Sequence, residues 1–240
     1  MTIAQMHQLF KIMTNKVDSL NYPNLEPEEI DSLLNNESDK IIEQRAYGNN
    51  SKRTGVEETQ KRVDDLRNIT NNWAVPQVNM FTTLDNKPNG IFTPLPTDYR
   101  HALSESASIL YTNCHGSSAK KAVRVDPITD DRYNTIILDP FNKPYQDLIV
   151  RLPFQIVNSQ EVFELITDGT YTILQYNLRY LRTPVRMQYG TTYSTPTTDV
   201  NCELAEHLHR EIVEATAYQY LENIESPRFN TQQAIIKGTE

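Results

Sequence analysis

The chain has 240 residues, enough for a sizeable core, and its 38% hydrophobic and 22% charged residues separate it from disordered chains. With 31 acidic against 23 basic residues its formal charge is −8, so it lacks the clustered Lys and Arg with which proteins grip phosphate backbones. Two cysteines, Cys114 and Cys202, are too few for a disulfide framework or a four-cysteine zinc site, and no apolar run approaches the roughly 20 residues of a membrane helix. Met1–Gln5 shows no basic region ahead of an apolar stretch, so a soluble, unsecreted protein with free thiols is expected.

In chain order, Thr2-x-x-Gln5 fits a capping box, and Ile3, Met6, Phe10, Met13 and Val17 recur on one helical face. A second helix is predicted to open at Glu26-Pro27-Glu28-Glu29, to bury Ile30, Leu33, Leu34, Ile41 and Ile42, and to end at Gly48. A third run, Val56 to about Thr70, places Val63 and Leu66 inward. Its Lys61, Asp64, Asp65 and Arg67 stand three or four apart, the spacing of an ion-paired polar face rather than of a hard-metal site. From Trp73 the pattern shifts to short β-type runs. Candidate strands are Leu103–Thr112, Ala122–Asp126, Thr135–Leu138 and Leu148–Ile156. The strongest local signal pairs Val162–Thr167 with Thr170–Tyr180 across Asp168-Gly169 as a hairpin. Tyr189–Asn201 reads as a loop or extended arm. A last helix is predicted from about Cys202 or Glu203 to Ser226-Pro227, followed by a polar tail, Arg228–Glu240.

The expected fold class is therefore α+β: an N-terminal helical unit (1–72), a central antiparallel β module (73–200, a sandwich or small barrel), and a C-terminal helix with its tail (201–240). Phosphate-loop, dinucleotide and nucleophile-elbow motifs are missing, and 7 glycines leave little backbone to cradle phosphate. His207 and His209, two apart, do not share a helix face as a metal-binding pair would. Cys114-His115 has no third orienting group for nucleophilic chemistry. No catalytic, cofactor or metal site is expected. Tyr171, Tyr176 and Tyr180 could form a sugar platform, but cross-strand packing or a subunit interface is the favoured reading, which makes them candidate subunit-interface aromatics.

Several blocks carry a family resemblance. Met6-His7-x-x-Phe10-Lys11 and Lys16-Val17-Asp18-Ser19 come first, then Pro27-Glu28-Glu29-Ile30-Asp31-x-x-Leu34-Asn35 and Arg45-x-Tyr47-Gly48. After them stand Glu58-Thr59-Gln60-Lys61-Arg62-x-Asp64-Asp65-Leu66-Arg67, Leu95-Pro96-x-Asp98-Tyr99-x-His101 and Glu206-His207-Leu208-His209-x-x-Ile212-Val213-Glu214. In order and spacing the chain resembles head-to-tail connector, or neck ring, proteins of crAss-like and related Bacteroidetes-infecting tailed phages. Val56, Ser32-Leu33 and Ala205 depart from the family pattern and bear on which ring of the neck is meant.

The resemblance implies a non-enzymatic virion protein, made in the host bacterial cytoplasm, that assembles with itself as a ring, a dodecamer matching the portal. Its partners would be the portal and other neck or tail proteins, with DNA passing through the channel without specific binding and no membrane contact. Glu203, Glu206, Glu211, Glu214, Glu222 and Glu225 near the last helix are candidates for the channel wall or portal contact, against the alternative of a solvated face. A rival reading makes the β module a tail component that binds host-surface glycan or receptor.

Overall fold

The computed structural model describes residues 1–14, 25–47, 60–83, 86–112, 116–157, 159–190 and 198–223. Helices flank a central curled sheet, as the α+β expectation required. The chain divides into two compact units, one of Met1–Ile69 with Pro184–Glu240, the other of Thr70–Thr183.

In the helical unit, α1 (Ile3–Met13) is capped as predicted. Thr2 accepts from the Gln5 N–H, and the Gln5 side chain accepts from the Thr2 N–H, satisfying two N–H groups that helix geometry leaves open. The described residues of its predicted stripe include fully buried Ile3, Met6 and Phe10; Val17 lies outside the described residues. α2 (Pro27–Tyr47) starts on its proline and carries Glu28 and Glu29 in the first turn, where carboxylates favour the dipole. α3 (Gln60–Leu66) runs into a 3-10 turn, Arg67–Ile69. Leu66 is buried as expected, but Val63 is exposed and Asp65 takes the inward position. α5 (Leu208–Asn223) begins later than predicted, because Asn201–His207 is an irregular segment before it. Its residues Leu208, Ile212, Val213, Ala217, Tyr220 and Leu221 are buried, and it packs on both α1 and α2, with Phe10 edge-on to Tyr220 at 5.7 Å. The described ends of the predicted arm are joined by a Gln188–Val200 bridge; 191–197 and 224–240 lie outside the described residues.

The β unit holds β1 (Thr70–Pro76), β2 (Gly90–Pro94), β3 (Tyr99–Thr112), β4 (Ser118–Pro127), α4 (Asp130–Leu138), β5 (Leu148–Val157), β6 (Gln160–Ile166) and β7 (Thr172–Arg182). They form one sheet in the order β1-β7-β3-β4-β5-β6-β2, antiparallel except for β4–β5, whose parallel pairing requires the α4 crossover. One face carries a shared core that includes Val75, Ile109, Val125, Ile149, Phe163 and Leu178, so the sheet curls around it.

Two local predictions are corrected here. Thr135–Leu138 is the end of α4 and not a strand, because Tyr133, Ile136 and Ile137 stand three and four apart and pack together on Val150, Leu152 and Ile166. Asp130 and Asp131 then favour the helix start. The second correction concerns the Asp168-Gly169 hairpin. The turn forms, with Gly169 at φ +79° and Asp168 accepting from the Thr170 N–H at 2.9 Å, yet β6 and β7 do not pair. β6 is already flanked by β5 and β2, and β7 by β3 and β1. The turn carries the chain across the core instead, so Phe163 of β6 and Tyr180 of β7 both meet the Tyr99 ring, at 5.5 and 6.0 Å.

Candidate functional site

The residues with chemical potential divide between buried polar clusters and one open groove. In the helical unit, Arg45 in the last turn of α2 reaches Glu211 of α5 at 2.6 Å, and its Nε lies 3.2 Å from Asp65 Oδ2. Asp65 is fully buried and its other oxygen meets His207 Nε2 at 2.6 Å. Asp64 is exposed, as a solvated face requires, but Asp65 is buried and ties α2, α3 and the segment before α5 together. A buried carboxylate is tolerable only with such partners.

A second cluster centres on α2. His7 Nε2 meets Asp31 Oδ1 at 2.7 Å, and Asp31 Oδ2 accepts from the Tyr189 N–H at 2.9 Å. One turn on, the Asn35 carboxamide donates to the Met187 carbonyl at 2.9 Å and accepts from the Met187 N–H at 2.8 Å. One side chain thus satisfies both backbone groups of an extended residue, as a neighbouring strand would. These polar residues were hidden from pattern reading because they sit inside an otherwise apolar helical stripe. His207 and His209 indeed serve separate partners: His209 Nε2 faces the Leu204 carbonyl at 3.0 Å and its Nδ1 the Met1 amino group at 3.0 Å. Among the described residues no group of three or more His, Cys, Asp or Glu is placed to hold a metal ion. Cys114 and His115 lie outside the described residues; Cys202 is a free thiol whose burial pushes its pKa up.

The acidic candidates are spread in role. Glu203 accepts from the Val185 N–H at 2.9 Å, Glu211 pairs with Arg45, and Glu214 pairs with Arg210 at 2.7 Å. Glu206, exposed, lies 3.3 Å from the Met1 amino group, and Glu222 is exposed. Glu225 lies outside the described residues. At 100° per residue, Glu211, Glu214 and Glu222 share one side of α5, opposite its buried side.

The aromatic candidates are core residues. Tyr176 is fully buried, Tyr180 and Tyr171 nearly so, and each hydroxyl is bonded within the chain: Tyr176 to Glu105 at 2.7 Å, Tyr180 to Asp98 at 2.8 Å, Tyr171 to the Tyr145 carbonyl at 3.3 Å. Their rings alternate inward with Ile173 and Leu178 and fill the core, which leaves none of the three as a surface platform. Burial first, and Glu105 second, raise the Tyr176 phenol far above its ordinary range. Glu105 is also held by Arg151 through two bonds of 2.9 and 2.7 Å, and the guanidinium stacks 4.1 Å from the Phe163 ring centre.

The open groove runs between the two edges of the sheet. About 830 Å³ in volume, it is bordered by Asn71, Asn72 and Trp73 of β1 on one side and Pro94 to Asp98 on the other. Trp73 donates its indole N–H across it to the Pro94 carbonyl at 3.2 Å, a bridge where strand pairing is missing. A family described as phage tail ring protein 3/4 matches residues 1–222. No curated protein matches the chain.

Proposed function

The chain belongs to the phage tail ring protein 3/4 family, and we propose that it builds a ring in the phage neck that joins the portal to the tail and lets the genome pass. As a member it is a structural component of the virion, of the kind that assembles as rings in the tail. No described helix is long and apolar enough to cross a membrane. The observation that carries the reading is the family match over 1–222, which takes in both units.

The chemistry of the chain supports mechanical rather than catalytic work. Asp65 is held by Arg45 and His207, Glu105 by Arg151 and Tyr176, and Asp31, His7 and His209 meet one another or main-chain groups, as internal ties do. The charge of −8 favours a wall that repels phosphate, so DNA slides without being held. On this reading the side of α5 bearing Glu211, Glu214 and Glu222 faces either the channel or the portal, and twelve copies match the portal's symmetry. The chain would be made in the host bacterial cytoplasm and would need neither metal nor cofactor. The glycan-binding alternative loses the feature that motivated it, since Tyr171, Tyr176 and Tyr180 are interior.

Electron microscopy of the purified protein mixed with its portal tests the reading. Coaxial rings of equal symmetry are expected. A ring that never associates with the portal, while binding other tail parts, would move the protein away from the neck.

A further inference from the structure

Two separate surfaces of the β unit are open. One is the end of α4 and the loop after it, where Leu138 is 83% and Phe141 87% exposed. This loop is tightly built: the Asp139 carboxylate accepts from the Phe141 N–H at 2.9 Å and from the Asn142 side chain, and the Lys143 N–H donates to the Asp139 carbonyl at 3.0 Å. Those bonds also hold the Asp139 carboxyl below its usual range. Phe141 is thus presented as a knob in a set conformation, which lowers the ordering cost of docking it.

The second surface is the open groove, where exposed Trp73 and half-buried Pro94 stand beside polar Asn71, Asn72, Asn79, Thr97 and Gln160, Leu95 and Pro96 are buried, and the one charged lining residue is Asp98. Its rim at Asn79 adjoins Val78, which is 85% exposed. β1, Thr-Asn-Asn-Trp-Ala-Val-Pro, carries no charged residue, although exposed sheet edges are ordinarily guarded by charges, whereas the β2 edge is bridged at Phe92 by Phe81.

We propose that these surfaces are the two halves of one contact between copies, the Leu138–Phe141 knob of one chain seating in the Trp73–Pro96 groove of the next. A patch on one side of a subunit that complements a pocket elsewhere on it makes a head-to-tail contact, and such a contact closes into a ring when the rotation allows. Charge fits as well, because Lys143 on the knob is the cation that would approach Asp98 in the groove. The inference rests on the ring reading above and specifies its interface.

The test uses full-length chains in two forms, Asn79→Cys and Phe141→Cys, oxidised separately and mixed. Interchain crosslinks that appear only in the mixture are expected. In parallel, Phe141→Asp should weaken self-association at least tenfold with an unchanged melting temperature, since the Phe141 side chain is 87% exposed. Wild-type rings with no mixed crosslink, and F141D rings that assemble as readily, would overturn the knob and groove while leaving the ring reading intact. A wild-type chain that stays single at every concentration would instead defeat the ring reading itself, and the interface with it.

Discussion

In the helical unit α2 buries Asp31, Asn35, Glu37 and Ser38 beside its isoleucines, whereas β7 of the β unit buries Ile173, Tyr176, Leu178, Tyr180 and Leu181. The difference follows from what each unit must join. The sheet's strands are fixed by backbone ladders, so alternating apolar side chains suffice to choose the inward face. The helical unit gathers pieces far apart in sequence, such as Asp65 with His207 and Asn35 with Met187, and helix interiors offer no free backbone groups for that purpose. Buried side-chain polar groups take over the role of setting register.

That contrast can be broken by substitution. The largest expected effect is Arg45→Ala, which strips a buried charge from Asp65 and leaves Glu211 without its partner; a loss of about 3–5 kcal/mol is expected by chemical denaturation. A cost under about 1 kcal/mol would mean the cluster is not what orders the unit. Next is Asn35→Leu, which keeps side-chain bulk but orphans the Met187 N–H and carbonyl, for an expected loss of about 1–3 kcal/mol and faster amide exchange at Met187.

The β unit should respond less to polar deletion. Tyr176→Phe is expected to cost about 1 kcal/mol, because Glu105 keeps both bonds from Arg151. The same phenol gives a pH test with a definite sign. Its pKa is raised above 10.0 in the folded chain, so the unfolded chain releases that proton first. Stability is whole below about pH 10 and falls as pH rises beyond it, and a denaturant midpoint that stays flat to pH 11 would contradict the burial argument. The smallest effect is Thr2→Ala, about 1 kcal/mol from the lost cap, read as a lower melting temperature.

How much was legible in the sequence depended on how local the cause was. The α1 cap, the proline start of α2 and five of the six strand regions follow from neighbouring residues, and they stand where spacing put them. The β6–β7 hairpin was misread because Asp-Gly specifies a turn, while pairing depends on which edges β5, β2, β3 and β1 have already taken. Thr135–Leu138 was misread because a short apolar run fits either period until Val150 and Leu152 supply a surface for one of them. Asp65 and Asn35 could not be read as buried, since His207 and Met187, which meet them, lie more than a hundred residues away. The tyrosines' choice between cross-strand packing and an interface was open for a similar reason: Glu105 and Asp98, which bind Tyr176 and Tyr180, are 71 and 82 residues distant in the chain.

The central claim is that this chain is a ring subunit, and the native mass of the purified wild-type protein across a concentration series tests it most directly. The account predicts one discrete assembly at a fixed multiple of the 27.7 kDa chain, with closed rotational symmetry in projection images. A single-chain mass at every concentration, with the protein missing from purified virions, would contradict it.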